Sequence, residues 1–241
     1  PLDPETAAYL GFSVSLSGNT AVVGAPFDDG VGVDSGSVYV YDRPNGGEWT
    51  LREKLTASDM AAGDRFGSSV SLRDYQIVVG APGNDDAGPD SGSAYVFTYR
   101  TTLGWVENQK LTASDAAEGD GFGGSVSESG FTDWILVGAS GDDEAGLNSG
   151  AAYVFALTVE GVWTQAAKLA APDAAAGDYF GASVSIKGFT AAVGAFGEDD
   201  AGTDSGSVYV YYPYTGNPPG TLWTLPQKLT GAGGDYFGYS V

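Results

Sequence analysis

The sequence predicts an all-β protein: a β-propeller of four-stranded antiparallel blades, four repeats plus one opening strand. Three observations predict it. A block of twenty columns recurs four times without a gap. Each copy holds four strand-like segments separated by Gly-, Asp- and Ser-rich turns. No stretch has helical period with caps; "DAAAGD" is too short and contains a glycine.

The repeat is read directly. "VVGAPFDDGVGVDSGSVYVY" from Val22 aligns with "VVGAPGNDDAGPDSGSAYVF" from Val78, "LVGASGDDEAGLNSGAAYVF" from Leu136 and "AVGAFGEDDAGTDSGSVYVY" from Ala192. The glycine of the Gly-Ala pair falls at Gly24, Gly80, Gly138 and Gly194, steps of 56, 58 and 56 residues. The single domain, 1–241, divides into repeats at about 9–64, 65–120, 121–178 and 179–235, with a partial copy at 236–241.

Taking the second copy in chain order, the first strand is "SVSL", whose small residues suit a crowded central axis. The second, "QIVVGA", is β-branched and apolar. The third, "GSAYVF", alternates small and aromatic residues; the recurring Tyr39, Tyr95, Tyr153 and Tyr209 are read as core between blades. The fourth, "GWVENQKL", alternates apolar and polar residues and suits the outer edge. A tryptophan recurs in or near it at Trp49, Trp105, Trp163 and Trp223, and a Lys-Leu pair begins at Lys54, Lys110, Lys168 and Lys228. Trp134 falls off this pattern, beside a two-residue insertion in the third copy. A lone four-stranded sheet leaves a face exposed, so the stable unit is the array.

Composition narrows the function. There is no His and no Cys, which excludes the usual zinc sites, Cys nucleophiles and any His-based triad. With 31 acids against 10 bases the net charge is −21, so nucleic acid and anionic membranes are repelled while cations and basic partners are attracted. No apolar run reaches the ~18 residues of a membrane span. The sequence carries no signal peptide, and Pro1 is not a natural start. "GDGFGG" at Gly119 mimics a nucleotide-binding fingerprint but precedes a strand, not a helix. No copy carries a unique basic or nucleophilic constellation, so no enzyme is expected.

The acids are concentrated. Loops between strands two and three and the connections between blades emerge on one face, because strands alternate direction within a blade. The first set holds Asp28, Asp29 and Asp34; Asp85, Asp86 and Asp90; Asp142, Asp143 and Glu144; and Glu198, Asp199, Asp200 and Asp204. The second holds Asp3, Glu5, Asp59, Asp64, Asp115, Glu118, Asp120, Asp173, Asp178 and Asp235, and of the bases only Arg65 is expected there. Two carboxylates ~5 Å apart repel by about 3 kcal/mol at an effective dielectric near 20. A hard cation relieves that, and Ca²⁺ accepts carboxylates with the carbonyls of Gly-rich turns. The expected metal ligands are therefore the strand two–three acids other than Glu198, with Asp29, Asp85, Asp143 and Asp199, one column in all four copies, foremost. The competing reading is that Asp and Asn simply build turns, above all in the column Asp34, Asp90, Asn148 and Asp204. For Asp64, Asp120, Asp178 and Asp235 a bond to loop backbone is favoured over metal. The first copy has Gly30 where the others have Asp86, Glu144 and Asp200, so its loop should hold a cation most weakly.

These columns resemble the FG-GAP repeat. Phe-Gly stands at Phe66, Phe122, Phe180 and Phe237, with "LGFSV" at Leu10 in the first copy. Gly-Ala-Pro is intact at Gly24 and Gly80 and drifts at Gly138 and Gly194. The resemblance implies the propeller fold of integrin α-subunit heads, extracellular or cell-surface placement, and adhesion to a protein or glycan ligand. Integrin-type propellers have seven blades, so four units imply either a part of a larger propeller or a four-bladed ring. They also leave open a structural building block that assembles with copies of itself through its blade edges.

Overall fold

The computed structural model describes residues 9–130, 132–213, 223–224 and 226–241. Among these residues sixteen strands form four antiparallel sheets in simple chain order. The first blade is β1 (Ser13–Ser17), β2 (Thr20–Ala25), β3 (Ser37–Asp42) and β4 (Thr50–Leu55). The second is β5 (Ser69–Arg73), β6 (Gln76–Ala81), β7 (Ser93–Arg100) and β8 (Gly104–Leu111). The third is β9 (Ser125–Glu128), β10 (Trp134–Ala139), β11 (Ala151–Leu157) and β12 (Trp163–Leu169). The fourth is β13 (Phe180–Lys187), β14 (Thr190–Ala195), β15 (Ser207–Tyr211) and β16 (Gln227–Thr230). Among the described residues the only helical piece is a 3-10 turn at Pro44–Gly46. Among the described residues no helix is long and apolar enough to cross a membrane.

The first strands of successive blades, β1, β5, β9 and β13, pack side by side. Their serines stitch the array: the Oγ of Ser15, Ser71 and Ser127 accepts from the backbone N–H of Leu72, Glu128 and Ile186 in the next blade. In blades two and three the second strands, and most of the third, are buried on both faces because a blade stacks on either side; every residue of β10 is buried.

The Phe-Gly and Gly-Ala signatures meet at each blade interface. The carbonyl of Gly67 lies 2.0 Å from where a Cβ on Gly24 would stand, and Gly123 lies 1.8 Å from the same point on Gly80. The same carbonyls accept from Ser13 Oγ (2.8 Å) and Ser69 Oγ (2.7 Å). Phe66, Phe122 and Phe180 are fully buried and pack edge-on against Tyr95, Tyr153 and Tyr209, with centroids 5.4–5.5 Å apart. The motif is thus the docking surface of one blade on the next.

The array has two unlike ends. Val14 and Leu16 of β1 are 62% exposed, whereas Val184 and Ile186 in the same columns are buried. At the other end Phe237 bridges Gly206 as its counterparts do, yet is 40% exposed. Residues 236–241, read in sequence as an opening strand, form no strand here; Phe237 makes a single bridge to Gly206.

Candidate functional site

The acidic loop face is organised around four lysines. Each stands near the end of its blade's fourth strand, and its long side chain reaches the loop face. In the third blade Lys168 Nζ lies 2.7 Å from Asp115, 2.8 Å from Asp142 and 2.7 Å from Glu144. In the fourth, Lys228 Nζ lies 2.7 Å from Asp173, 3.0 Å from Glu198 and 2.6 Å from Asp200. In the second, Lys110 Nζ bonds Asp59 (2.7 Å), Asn84 (3.1 Å) and Asp86. An ammonium has three N–H donors, and each of these three is met by three side-chain acceptors. In the first blade Gly30 removes one acceptor; Lys54 bonds Asp28 at 3.1 Å. Asp3, the first-copy counterpart of Asp59, and Glu5 lie outside the described residues.

The clamp joins neighbours. Asp59, Asp115 and Asp173 sit on inter-blade connections, while the lysine and the buried acceptor belong to the blade that follows. The tyrosine column completes it. Tyr95 and Tyr209 donate to Asp59 and Asp173 (2.8 and 2.7 Å), and Tyr39 and Tyr153 donate to Asp28 and Asp142 (2.7 and 3.0 Å). Each ammonium also lies 5.3–5.5 Å from the centroid of its tyrosine ring, within cation–π range. Burial works against ionisation of Asp59, Asp115 and Asp173, but hydrogen bonds from lysine and tyrosine outweigh it and hold these carboxyls below their ordinary value. Burial likewise opposes the charge of Lys168 and Lys228, and the carboxylates around them reverse it, raising both pKa values.

This corrects the reading that only Arg65 joins the acids. Lys54, Lys110, Lys168 and Lys228 were visible as a conserved spacing within the chain, but a residue on a strand was not credited with reaching the loop. Asn84 is not among the expected site residues, and Glu198 is among the loop acids but not the expected ligands; 3% exposed each, they share a column with Asp28 and Asp142, which was the signal available.

The other acids have turn-building roles. Asp29, Asp85, Asp143 and Asp199 each accept from the backbone N–H five residues on, at 2.9, 2.9, 2.6 and 2.7 Å. Those N–H groups belong to Asp34, Asp90, Asn148 and Asp204, which have φ of +51° to +54°. That left-handed conformation favours Asn and Asp among non-glycine residues. Asp64, Asp120, Asp178 and Asp235 accept from the N–H three residues earlier, at 2.7–3.0 Å. Burial raises the pKa of the first three.

Charge remains after the lysines are counted. A cleft of about 360 Å³ between blades two and three is lined by Asp115, Glu118, Asp120, Asp142, Asp143, Glu144 and Lys168. Among the described residues no group of three or more acidic side chains is arranged to hold a metal ion. Where the carboxylates converge, the lysine ammonium stands. A resident Ca²⁺ at that point does not fit the donor set without displacing it.

Four stacked four-stranded sheets define blades of a β-propeller. Matches to the FG-GAP repeat model cover residues 1–41, 49–97, 105–155 and 163–211, so the chain belongs to the FG-GAP repeat family. Among solved structures it is similar to a protein from Lactobacillus plantarum, at 14% identity and TM-score 0.55, over 91% of this chain and 55% of that one. A second similarity is to Sqt1 of Saccharomyces cerevisiae, at 8% identity and TM-score 0.47, over 84% of this chain and 44% of that one. The chain therefore spans about half the length of these structures. Comparison with curated proteins finds no match.

Proposed function

We propose that this chain is a non-enzymatic, extracellular or cell-surface adhesion module whose acidic loop face binds cationic groups, Ca²⁺ or basic side chains of a protein ligand. The observation that carries it is the cleft between blades two and three, where six carboxyl groups share one lysine. The lysine clamp recurs in three blades, which suits multivalent binding rather than one catalytic centre. Ca²⁺ enters this reading as an ion of the outer carboxylates that competes with the lysines. Calorimetric titration with CaCl₂ and, separately, with a hexalysine peptide tests it. Binding of either that weakens steeply as salt rises through roughly 0.15 M supports the reading. No heat from either at low salt rules it out.

Its ends favour a second reading, as a building block. The surface that β5 offers to the first blade is the kind that β1, with Val14 and Leu16, leaves exposed at one end. The exposed Phe237 and Tyr239 mark the other end. Head-to-tail contact between two copies would repeat an interface already present between blades. Native mass spectrometry decides: multiples of the 24.6 kDa chain support assembly, and a lone monomer at micromolar concentration excludes it.

A further inference from the structure

The face opposite the acidic rim carries a feature that no other copy has. In the inner-strand column occupied by Leu16, Leu72 and Ile186, the third copy has Glu128. Leu72 and Ile186 are core residues. The Glu128 side chain is just as enclosed, 1% exposed, yet neither carboxyl oxygen has a hydrogen-bond partner. The nearest cation, Arg73 Nη1, lies 3.8 Å from Oε1, beyond hydrogen-bond range, and is bonded instead to the Ser129 carbonyl at 3.2 Å and Asp133 at 3.5 Å. Buried Gln76 Nε2 likewise lacks an acceptor.

These groups line one cleft of about 280 Å³ at the hairpin end of the junction between blades two and three, with Tyr75 and Thr98. Tyr75 is 68% exposed and its ring stacks on Tyr99. The repeat is broken at several of these positions together: Tyr75 and Asp133 align with Asn19 and Phe189, and Gln76 with Thr20, Trp134 and Thr190. Buried polar groups are normally paired, so a concave site with orphaned acceptors and an orphaned donor is a site that a ligand completes.

The orphans also define the ligand. An ammonium would donate to Glu128 but leave Gln76 Nε2 unmet and sit against Arg73. A phosphate or carboxylate would face Glu128, Asp133 and Asp74. A hydroxyl group donates to a carboxyl and accepts from an amide, and vicinal hydroxyls do both at once. A sugar ring's C–H face also packs on tyrosine. Burial, partly offset by Arg73, pushes Glu128 up to about 8, so near neutral pH it is mostly the acid, itself both donor and acceptor. We propose that the cleft between Arg73, Gln76, Glu128 and Asp133 binds a saccharide, with Glu128 and Gln76 hydrogen-bonding neighbouring ring hydroxyls and Tyr75 flanking the ring. The site is separate from the acidic face and stands or falls without it.

Saturation-transfer NMR on the whole chain tests this, using the methyl glycosides of glucose, galactose, mannose, fucose and N-acetylglucosamine at up to roughly 50 mM. 1,4-Diaminobutane and inorganic phosphate serve as the competing ligand classes. At least one glycoside is expected to bind, and both Glu128→Leu and Gln76→Ala should weaken it about tenfold or more. Glu128→Leu restores the residue type of the other copies, so its melting point should stay or rise and lost binding cannot be ascribed to misfolding. The proposal is overturned if no glycoside binds, if binding survives both substitutions, or if only the diamine or phosphate binds in a Glu128-dependent way.

Discussion

The two ends of the junction between blades two and three are built in opposite ways. At the loop end, Lys168 brings one ammonium to three carboxylates, and every donor of that ammonium is met. At the hairpin end, Glu128 is buried with neither oxygen hydrogen-bonded, and Arg73, its ion-pair partner at 3.8 Å, donates its hydrogen bond to the Ser129 carbonyl instead. The loop end recurs in the second and fourth blades; the hairpin end occurs once. A feature found in three of the four copies serves what each of those copies needs, which is docking on a neighbour. A feature found once, at the cost of a core contact, serves something the fold does not need.

Four substitutions sharpen or break that contrast. The largest effect is expected at the loop end. Lys168→Met strands buried Asp142 beside Asp115 and Glu144 and should cost about 3 kcal/mol in urea unfolding, as removal of one partner from a buried ion pair does. A loss under about 1 kcal/mol would mean that the clamp is only a surface pair. Next comes Gly138→Ala, whose Cβ would stand 1.9 Å from the Gly181 carbonyl. It should cost roughly 2 kcal/mol or more by forcing blades three and four apart, again read from urea unfolding.

Glu128→Leu should act in the opposite direction, stabilising by about 1–2 kcal/mol, because it removes an unmet carboxyl and restores a core side chain. Its pH signature is specific. Glu128 has a folded pKa of about 8 against an ordinary 4.5, so between those values the folded state holds more protons than the unfolded one. Stability therefore falls as pH rises from about 4.5 to 8, and Glu128→Leu should flatten that fall in melting curves. The carboxyls lowered by the clamp, Asp59, Asp115 and Asp173, contribute in the other sense: their stabilisation is present above about 3.8 and is lost as pH falls through their lowered values. The smallest effect belongs to Gly30→Asp, which supplies the acid that the first copy lacks; its Cβ would stand 3.5 Å from Lys54 Nζ. A gain of about 0.5 kcal/mol is expected, and a loss would break the analogy between copies.

Most of the fold was legible because repetition multiplies the signal. Four aligned copies turned weak strand patterns into blades and placed the acids on one face. The role of the Phe-Gly and Gly-Ala glycines was not legible, since their contacts lie on different blades, as Gly24 and Gly67 show. The lysine clamp was missed for a related reason. Lys168 and Asp115 are 53 residues apart, and pairing them requires knowing how far a strand-borne side chain reaches. Glu128 was hidden differently. Alignment emphasises what copies share, whereas Glu128 is informative because it departs from Leu72 and Ile186.

We propose that lysine, not a preformed metal cage, is the resident cation of these loops. It is tested most directly by melting the wild-type chain and Lys168→Met with CaCl₂ and with chelator. A small rise is expected for the wild type, needing Ca²⁺ on the order of millimolar, and a clearly larger rise for Lys168→Met as the ion takes the vacated place among Asp115, Asp142 and Glu144. A large wild-type rise at micromolar Ca²⁺, or equal rises for both chains, would contradict it.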